Sequence, residues 1–391
     1  MDTGQRFRIG IIFNFTRGWL GGFYYYQNII NAINFLDDEQ KPEIIIFYNE
    51  DYSAYLNELH YPYMQLVPWK FIDIKKGYLL SFLKQKNVFV HDMIRRYELR
   101  GIYAVNDNPV PTTKGNVRNT IAAAWFPDLQ HKFFPQFFDK KRLWLRELRL
   151  KITLRNARDL VVSSHDTVEH FKKFYSLPPT LRIHVLQFVS VLDIYESRDI
   201  SAVRAVYKLP YEYFIVSNSF LKHKNHHVVL NALKELKKKN GQAHIVFTGK
   251  MEVYPGSEHI DALKAIVKDN NLDAYVSFLG VIPREDQLCI MKHAKAVLQP
   301  SKFEGWNTTI EDAKSMQLPV IASNIPVHVE QLGDTGTYFD PTNPSELADL
   351  LTNYNKRTTG TLYADYSTRV KKFANDFLDI FNHRAVAQDS Q

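Results

Sequence analysis

From Tyr213 to Ser323 the chain alternates short apolar runs with longer amphipathic segments, an order that few architectures accept. "YFIVSNSF" (213–220) has strand length and an apolar centre, and "NHHVVLNALKELKKKN" (225–240) has helical spacing. "AHIVFTG" and "YVSFLG" read as strands, and "EHIDALKAIVKDNNL" and "EDQLCIMKHA" as helices. "KAVLQP" and "PVIAS" add two more strands. Strands separated by helices predict a parallel sheet with helices on both faces. The first half opens the same way: strand "FRIGIIFNF" (7–15), Gly-rich loop, helix "FYYYQNIINAINFL", strand "PEIIIFYNE". Its middle is less regular. "NTIAAAWF" (119–126), "ARDLVVSS" (157–164) and "RIHVLQFV" (182–189) read as strands, and "HDTVEHFKKFY" as a helix capped at Ser163-Ser164. The expected fold is α/β: two doubly wound, Rossmann-like domains facing each other across a cleft.

A chain of 391 residues suits two cores of ordinary size. The expected boundaries are 1–195 for a first domain, 205–360 for a second, and 361–391 for a helix and tail crossing back to the first. The last residues, "HRAVAQDSQ", are expected to fray. The single cysteine, Cys289, excludes an internal disulfide and a cysteine-based zinc cluster, and fits a reducing compartment. The first residues lack a secretory cleavage pattern, and no window has the length and apolarity of a membrane span, so a cytoplasmic location is expected. The formal charge of +7 admits phosphate ligands, an acidic membrane surface or nucleic acid. No nucleic-acid motif supports the last.

Ligands of doubly wound sheets sit at the carboxyl ends of strands, against helix N-termini. Four loops there carry candidate residues. "GWLGG" (18–22) places Gly21 and Gly22 before a helix, where a ligand can approach the backbone or where the chain only turns. "SFLKHKNHH" (219–227) offers Lys224 as a point charge for a diphosphate, or a solvated basic turn. In "FLGVIPRED" (278–286), Gly280 permits a tight turn that exposes the backbone of Val281 and Ile282 to a base edge, or a plain connection. The fourth loop, "PSKFEGWNTTIEDAKSMQLPV" (300–320), holds Glu304, Glu311 and Asp312. Thr308 to Glu311 matches a capping box, in which Glu311 reaches back to the first turn. Asp312 lies about 100° further round the helix, where a carboxylate can hold a ribose diol.

The fourth stretch resembles the retaining glycosyltransferases of family 4, whose fold is named GT-B and whose hallmark is an E-x7-E run of the type EGFGLPVLEAMACGTPV. Aligned without gaps, the two glutamates fall on Glu304 and Asp312, and the Pro-Val that follows falls on Pro319 and Val320. "FLKHKNH", "VFTGK" and 323–351 continue the likeness, and "FPDLQHKFFPQFF" (126–138) resembles an H-D-L-Q-type segment. The departures are specific. Asp312 replaces a glutamate, Ser219 stands where an arginine is usual, and Pro127 stands where a histidine is usual, with His131 nearby.

The resemblance implies a cytoplasmic enzyme that moves a sugar from a nucleotide donor to an acceptor hydroxyl, in cell-surface polysaccharide or lipid-linked glycan synthesis. Lys224 would hold the diphosphate, with the backbone at Asn307 and Thr308. Glu304 would contact the donor sugar, and Asp312, with Glu311, the ribose. The acceptor would lie near Asp128 and His131, the two catalytic candidates on that side. Family members react on one face of the sugar, so a dedicated base is not required. No metal or other cofactor is expected, because Asn106-Asp107-Asn108 is a poor stand-in for a D-x-D pair. The rival expectation is a non-catalytic subunit that binds a sugar nucleotide or a partner enzyme. Finally, "KKRLWLRELRLKITLRNAR" (140–158) has eight basic residues and one acidic, with Leu145, Leu148 and Ile152 on one helical face. It reads either as a core-packed helix or as one lying on the inner face of a membrane.

Overall fold

The apolar runs at the start of the chain form parallel strands with little or no exposed surface. Ile9, Ile11, Phe13, Ile44, Ile46 and Phe47 are all at most 1% exposed, which is the signature of a sheet covered on both faces. Burial of each such side chain contributes about 1.5–3 kcal/mol. The structure is a computed structural model that describes residues 6–14, 20–111, 120–192, 198–251, 258–354, 362–363 and 365–382. The expected frayed tail beyond residue 382 lies outside them.

Two units result, Met1–Phe188 with Ser367–Gln391, and Val189–Tyr366. Among the described residues the first unit holds strands β1 (Arg8–Phe13), β2 (Glu43–Tyr48), β3 (Met64–Pro68), β4 (Gly101–Tyr103), β5 (Ile121–Trp125), β6 (Asp159–Val162) and β7 (Arg182–Val185). All pair in parallel in the order β3-β2-β1-β4-β5-β6-β7. The second unit holds β8 (Phe214–Ser217), β9 (Ile245–Thr248), β10 (Val276–Gly280), β11 (Val297–Gln299), β12 (Val320–Ser323) and β13 (Thr337–Phe339). Their order is β10-β9-β8-β11-β12-β13, again parallel. The strand order reverses beside β1 in one sheet and beside β8 in the other. Those are the points where the loops at the carboxyl ends diverge and leave a crevice.

The irregular middle of the first half contains β3, β4 and the helices Ile74–Lys84 and His91–Tyr97. Strand β3 is only partly buried at the sheet edge and ends on a proline, and β4 is three residues long and begins with glycine. That glycine has a tertiary cause. A Cβ on Gly101 would lie 2.1 Å from the ring of Phe381, just beyond the helix Tyr366–Asp379. On that helix, Phe377 meets Tyr103 edge-on at 5.3 Å.

The basic helix runs Lys140–Asn156 and is capped by Asp139, whose carboxylate accepts from the N–H groups of Lys141 and Arg142. Its buried face is Leu150, Thr153 and Leu154, and the two leucines join Ala124, Leu160 and Phe171 in the core. The stripe picked from the sequence is not that face. Leu145 and Leu148 stay exposed, as does Trp144. An i, i+4 pair one step round the helix meets the sheet instead.

Replacing Gly101 by alanine forces the Phe381 ring away from the sheet. Overpacking of this kind costs about 1–3 kcal/mol. Denaturant unfolding should show that loss, with earlier proteolysis of the C-terminal helix. An unchanged midpoint would mean the helix does not depend on this contact.

Candidate functional site

The loops after β8 and β11, neighbours across the strand-order reversal, meet through one ion pair. After β8 the chain passes through a single 3₁₀ turn, Lys222–Lys224, and Asn225 then takes the left-handed conformation (φ 58°) before the helix His226–Lys238. Lys224 Nζ donates to both carboxylate oxygens of Glu304, at 2.6 and 2.8 Å. Asn225 Nδ2 donates to the carbonyls of Pro300 and Pro341, so the turn also braces the β11 loop.

The β11 loop is buried, which is unusual for a connection. Ser301, Phe303, Glu304, Trp306 and Asn307 are all buried. Its polar backbone groups therefore need partners. Lys302 N–H donates to the His223 carbonyl, and Ser323 Oγ donates to the Ser301 carbonyl. Asn307 supplies several bonds: its Oδ1 accepts from Ile310 N–H and from Gln299 Nε2, and its Nδ2 donates to Glu304 Oε1 at 2.9 Å.

Electrostatics at Glu304 follow from this arrangement. Burial pushes its carboxyl up, but Lys224, with His223 and His328, outweighs burial and holds it below the usual carboxylate range. Burial pushes the imidazoles of His223 and His328 down, each to about 4. A neutral His328 donates from Nδ1 to the carbonyl and Oγ of Ser323, because the Ser323 hydroxyl proton already serves Ser301.

The three acids of this stretch have separate fates. The helix runs Thr308–Ser315 and its N-cap is Asn307, one residue earlier than a capping box requires. Glu311 is therefore not the residue that reaches back. Gln331, from the helix Pro326–Leu332, does that work: its Oε1 accepts from Asn307 N–H and its Nε2 donates to the Asn307 carbonyl. The same Nε2 donates to Glu311 Oε1 at 2.8 Å, and Tyr366 donates its hydroxyl to Glu311 Oε2 at 2.9 Å. Asp312 is also buried and pairs with Arg284 at 2.7 Å. Arg284 in turn donates to Gln287 Oε1, and Gln287 to Ser217 Oγ at the end of β8.

The Asn307 N–H proposed for a diphosphate is thus taken internally. Thr308 and Thr309 are the next two residues of the turn, and the hydrogen bonds described for the helix start at Ile310 N–H, so their N–H groups remain at the positive end. On the β9–β10 side, Gly249 and Gly280 have φ of 130° and 66°. A Cβ on Gly249 would lie 2.2 Å from the Asn218 carbonyl oxygen, so this crossing requires glycine. Beyond Gly280, Val281 is exposed and Ile282 is half-buried against the core.

In the first unit, Gly21 and Gly22 lie in the first turn of the helix Leu20–Asn34, inside the helix and not in the loop before it. Residues 18 and 19 of that loop lie outside the described residues. A cavity of about 660 Å³ opens at the carboxyl ends of β1, β4 and β5. Asp128 lines it, whereas His131 does not. His131 is 1% exposed and its Nε2 meets Glu147 Oε1 at 2.6 Å; burial and Arg146 hold its pKa down. The neutral ring donates there and ties its short helix to Lys140–Asn156. Asp107 accepts a bidentate bond from Arg149 and another from the Tyr78 hydroxyl.

Arg284, Gln299, His328, Gln331 and Tyr366 were not singled out from sequence. Gln299 bonds Asn218 81 residues away, Gln331 bonds Asn307 24 residues away and Tyr366 bonds Glu311 55 residues away, and no local spacing announces those contacts. "IPVHVEQ", a proline followed by a histidine and a glutamine one turn apart, is the signal that marks His328 and Gln331.

Residues 198–372 match the protein family described as Glycosyl transferases group 1. O-antigen chain mannosyltransferase B of Escherichia coli is 23% identical over 274 residues, 68% of this chain and 70% of that protein. An O-antigen biosynthesis glycosyltransferase of E. coli, WclY, is 28% identical over 30% of this chain and 34% of its own length. Among solved structures, a sucrose-phosphate synthase from Thermosynechococcus elongatus superposes with a TM-score of 0.67 at 16% identity, over 98% of this chain and all of that one. HepE of Anabaena, solved in complex with UDP and glucose, superposes at 0.64 with the same identity and coverage. Both likenesses establish the fold, two parallel α/β sheets of the GT-B kind.

Removing Arg284 leaves Asp312 as a lone buried charge. Arg284→Ala is expected to destabilise the second unit by about 3 kcal/mol. Arg284→Met with Asp312→Leu should recover most of that loss. Chemical denaturation followed by circular dichroism reads both; a loss below about 0.5 kcal/mol would place the pair with weak surface bridges.

Proposed function

We propose, because residues 198–372 match the group 1 glycosyl transferases, that the chain moves a hexosyl or deoxyhexosyl group from a nucleotide-sugar donor to an acceptor hydroxyl, with retention. The observation that carries this reading is the half-buried pair Lys224–Glu304 at the carboxyl ends of β8 and β11, beside the first turn of Thr308–Ser315. Lys224 holds the diphosphate and, with the N–H groups of Thr308 and Thr309, stabilises the charge that builds on it as the bond to the sugar breaks. Glu304 accepts from hydroxyls of the donor sugar. The Arg284–Asp312 pair holds the ribose, with Val281 and Ile282 at the base. The acceptor oxygen forms its new bond on the face the diphosphate leaves, and its proton passes to the departing phosphate oxygen, so no side-chain base is needed. Asp128 accepts from the acceptor hydroxyl and orients it. His131 keeps that segment in place.

The solved relative that holds UDP and glucose supports a uridine nucleotide as the first donor to try. The O-antigen enzymes among the relatives support a cell-surface polysaccharide or lipid-linked glycan as product. Among the described residues no helix is long and apolar enough to cross a membrane. Work at the inner face of a membrane is instead supported by two helices of the first unit. Trp144, Leu145 and Leu148 are exposed near Lys140, Lys141 and Arg142, and Leu79, Phe82 and Leu83 are exposed near Lys75, Lys76 and Lys84. Apolar side chains ringed by lysine and arginine suit an anionic lipid surface.

Purified protein incubated with UDP-, GDP-, ADP- and dTDP-sugars should hydrolyse or transfer from one of them. Glu304→Ala and Lys224→Ala are each expected to lower turnover about 10²–10³-fold, and EDTA to leave it unchanged. Binding of a sugar nucleotide with no turnover of any donor would favour the non-catalytic subunit.

A further inference from the structure

The cavity of the first unit has a polar lining whose charges do not all cancel internally. Its volume of about 660 Å³ is that of a small-molecule site. Arg149 and Asp107, both on its wall, neutralise each other through two short hydrogen bonds, at 2.8 and 2.6 Å. Asp128, also on the wall, accepts one hydrogen bond, from Gln130 N–H at 2.9 Å. Arg146 completes the charged lining and has no carboxylate partner among the described residues. Its sequence neighbour Glu147 is consumed by His131, Lys132 and Tyr175.

Arg146 is nonetheless held in place. Its guanidinium lies 5.3 Å from the centre of the Phe126 ring and 5.7 Å from that of Phe138. Its Nε is buried with no hydrogen-bond partner among the described residues. Two aromatic faces stabilise a cation and fix the plane of its fork, but they leave its N–H donors unused. A fixed, planar, unpaired guanidinium on a cavity wall matches an oxyanion that arrives with a ligand. A ligand bearing only hydroxyl groups would not call for it.

We propose that the acceptor taken by this cavity carries an oxyanion, a phosphate ester or a carboxylate, and that Arg146 is the specificity residue that reads it. Asp128 then faces the hydroxyl that receives the sugar, and Tyr26, Phe71 and Trp125 supply flat apolar walls for a ring. The inference rests on the transferase reading for the word acceptor; the anion site itself is tested without turnover.

The test is equilibrium titration of the full chain with α-D-glucose 1-phosphate, D-glucuronate and methyl α-D-glucoside. At least one anionic probe is expected to bind ten times more tightly than the neutral glucoside. A preference for the phosphate assigns a phosphate ester, and one for glucuronate assigns a sugar acid. Arg146→Gln should reduce the preference to less than twofold, while Arg142→Gln, exposed on the same helix, should leave it intact. Equal binding of all three probes, or a preference that survives Arg146→Gln, overturns the proposal. If Arg146→Gln does not fold, Arg146→Lys keeps the stem and the charge but loses the fork. It is expected to lose at least threefold, and an unchanged preference there overturns the proposal equally. Donor turnover is scored separately. A chain that turns over donor without anion preference loses this inference alone, and one with the preference but inert to every donor loses the transferase reading alone.

Discussion

The half-buried contact between Lys224 and Glu304 is the constraint around which the second unit is organised. A glutamate as buried as Glu304 is tolerated only when a cation neutralises it and its remaining lone pairs find donors. Lys224 serves both oxygens of Glu304, and Asn307 serves one of them again. That arrangement requires the β8 and β11 loops to be adjacent. It also requires the β11 loop to run through the interior, with its backbone satisfied by Asn225, Ser323 and Gln331. A solvated loop at this place would leave the pair in water, where it would contribute little.

The same network extends away from the site in a continuous series. Asn307 connects to Gln331, Gln331 to Glu311, and Glu311 to the Tyr366 hydroxyl, which accepts from Ser190 N–H at 2.9 Å. Ser190 and Tyr366 lie next to the two points where the chain leaves the second unit for the first. Glu311 is thus a tie between the helix start and both ends of its unit. Asp312, one residue on, faces Arg284 instead. Adjacent acids on one helix turn serve different partners because they project about 100° apart.

Much of the fold was legible because parallel strands buried on both faces announce themselves as continuous apolar runs. The strands at 8–13, 43–48 and 214–217 are of this kind. Edge strand β3 and the three-residue β4 carry no such run, and Gly101 makes sense only once Phe381 is beside it. In the site, Lys224 and Glu304 were legible by position in their loops, since a basic turn and an acid before glycine both follow a strand. Their mutual bond, 80 residues apart in sequence, was not. The capping box was misread by one residue: Asn307 and Thr308 are both good cap residues, and Gln331 from another helix settles which one serves. The basic helix stayed open between two readings for a related reason, because Leu145–Leu148 and Leu150–Leu154 are both plausible stripes and only packing on β5 and β6 shows that the second meets the core while the first stays exposed.

The central claim is that the Lys224–Glu304 contact is the seat of a diphosphate-linked sugar. The direct measurement is calorimetric titration of UDP and GDP against UMP and GMP. One nucleoside diphosphate is predicted to bind at least tenfold more tightly than its monophosphate. The double variant Lys224→Met, Glu304→Gln leaves no lone buried charge, so it is expected to fold, and is predicted to abolish that difference. A diphosphate preference that survives in the double variant would contradict the account.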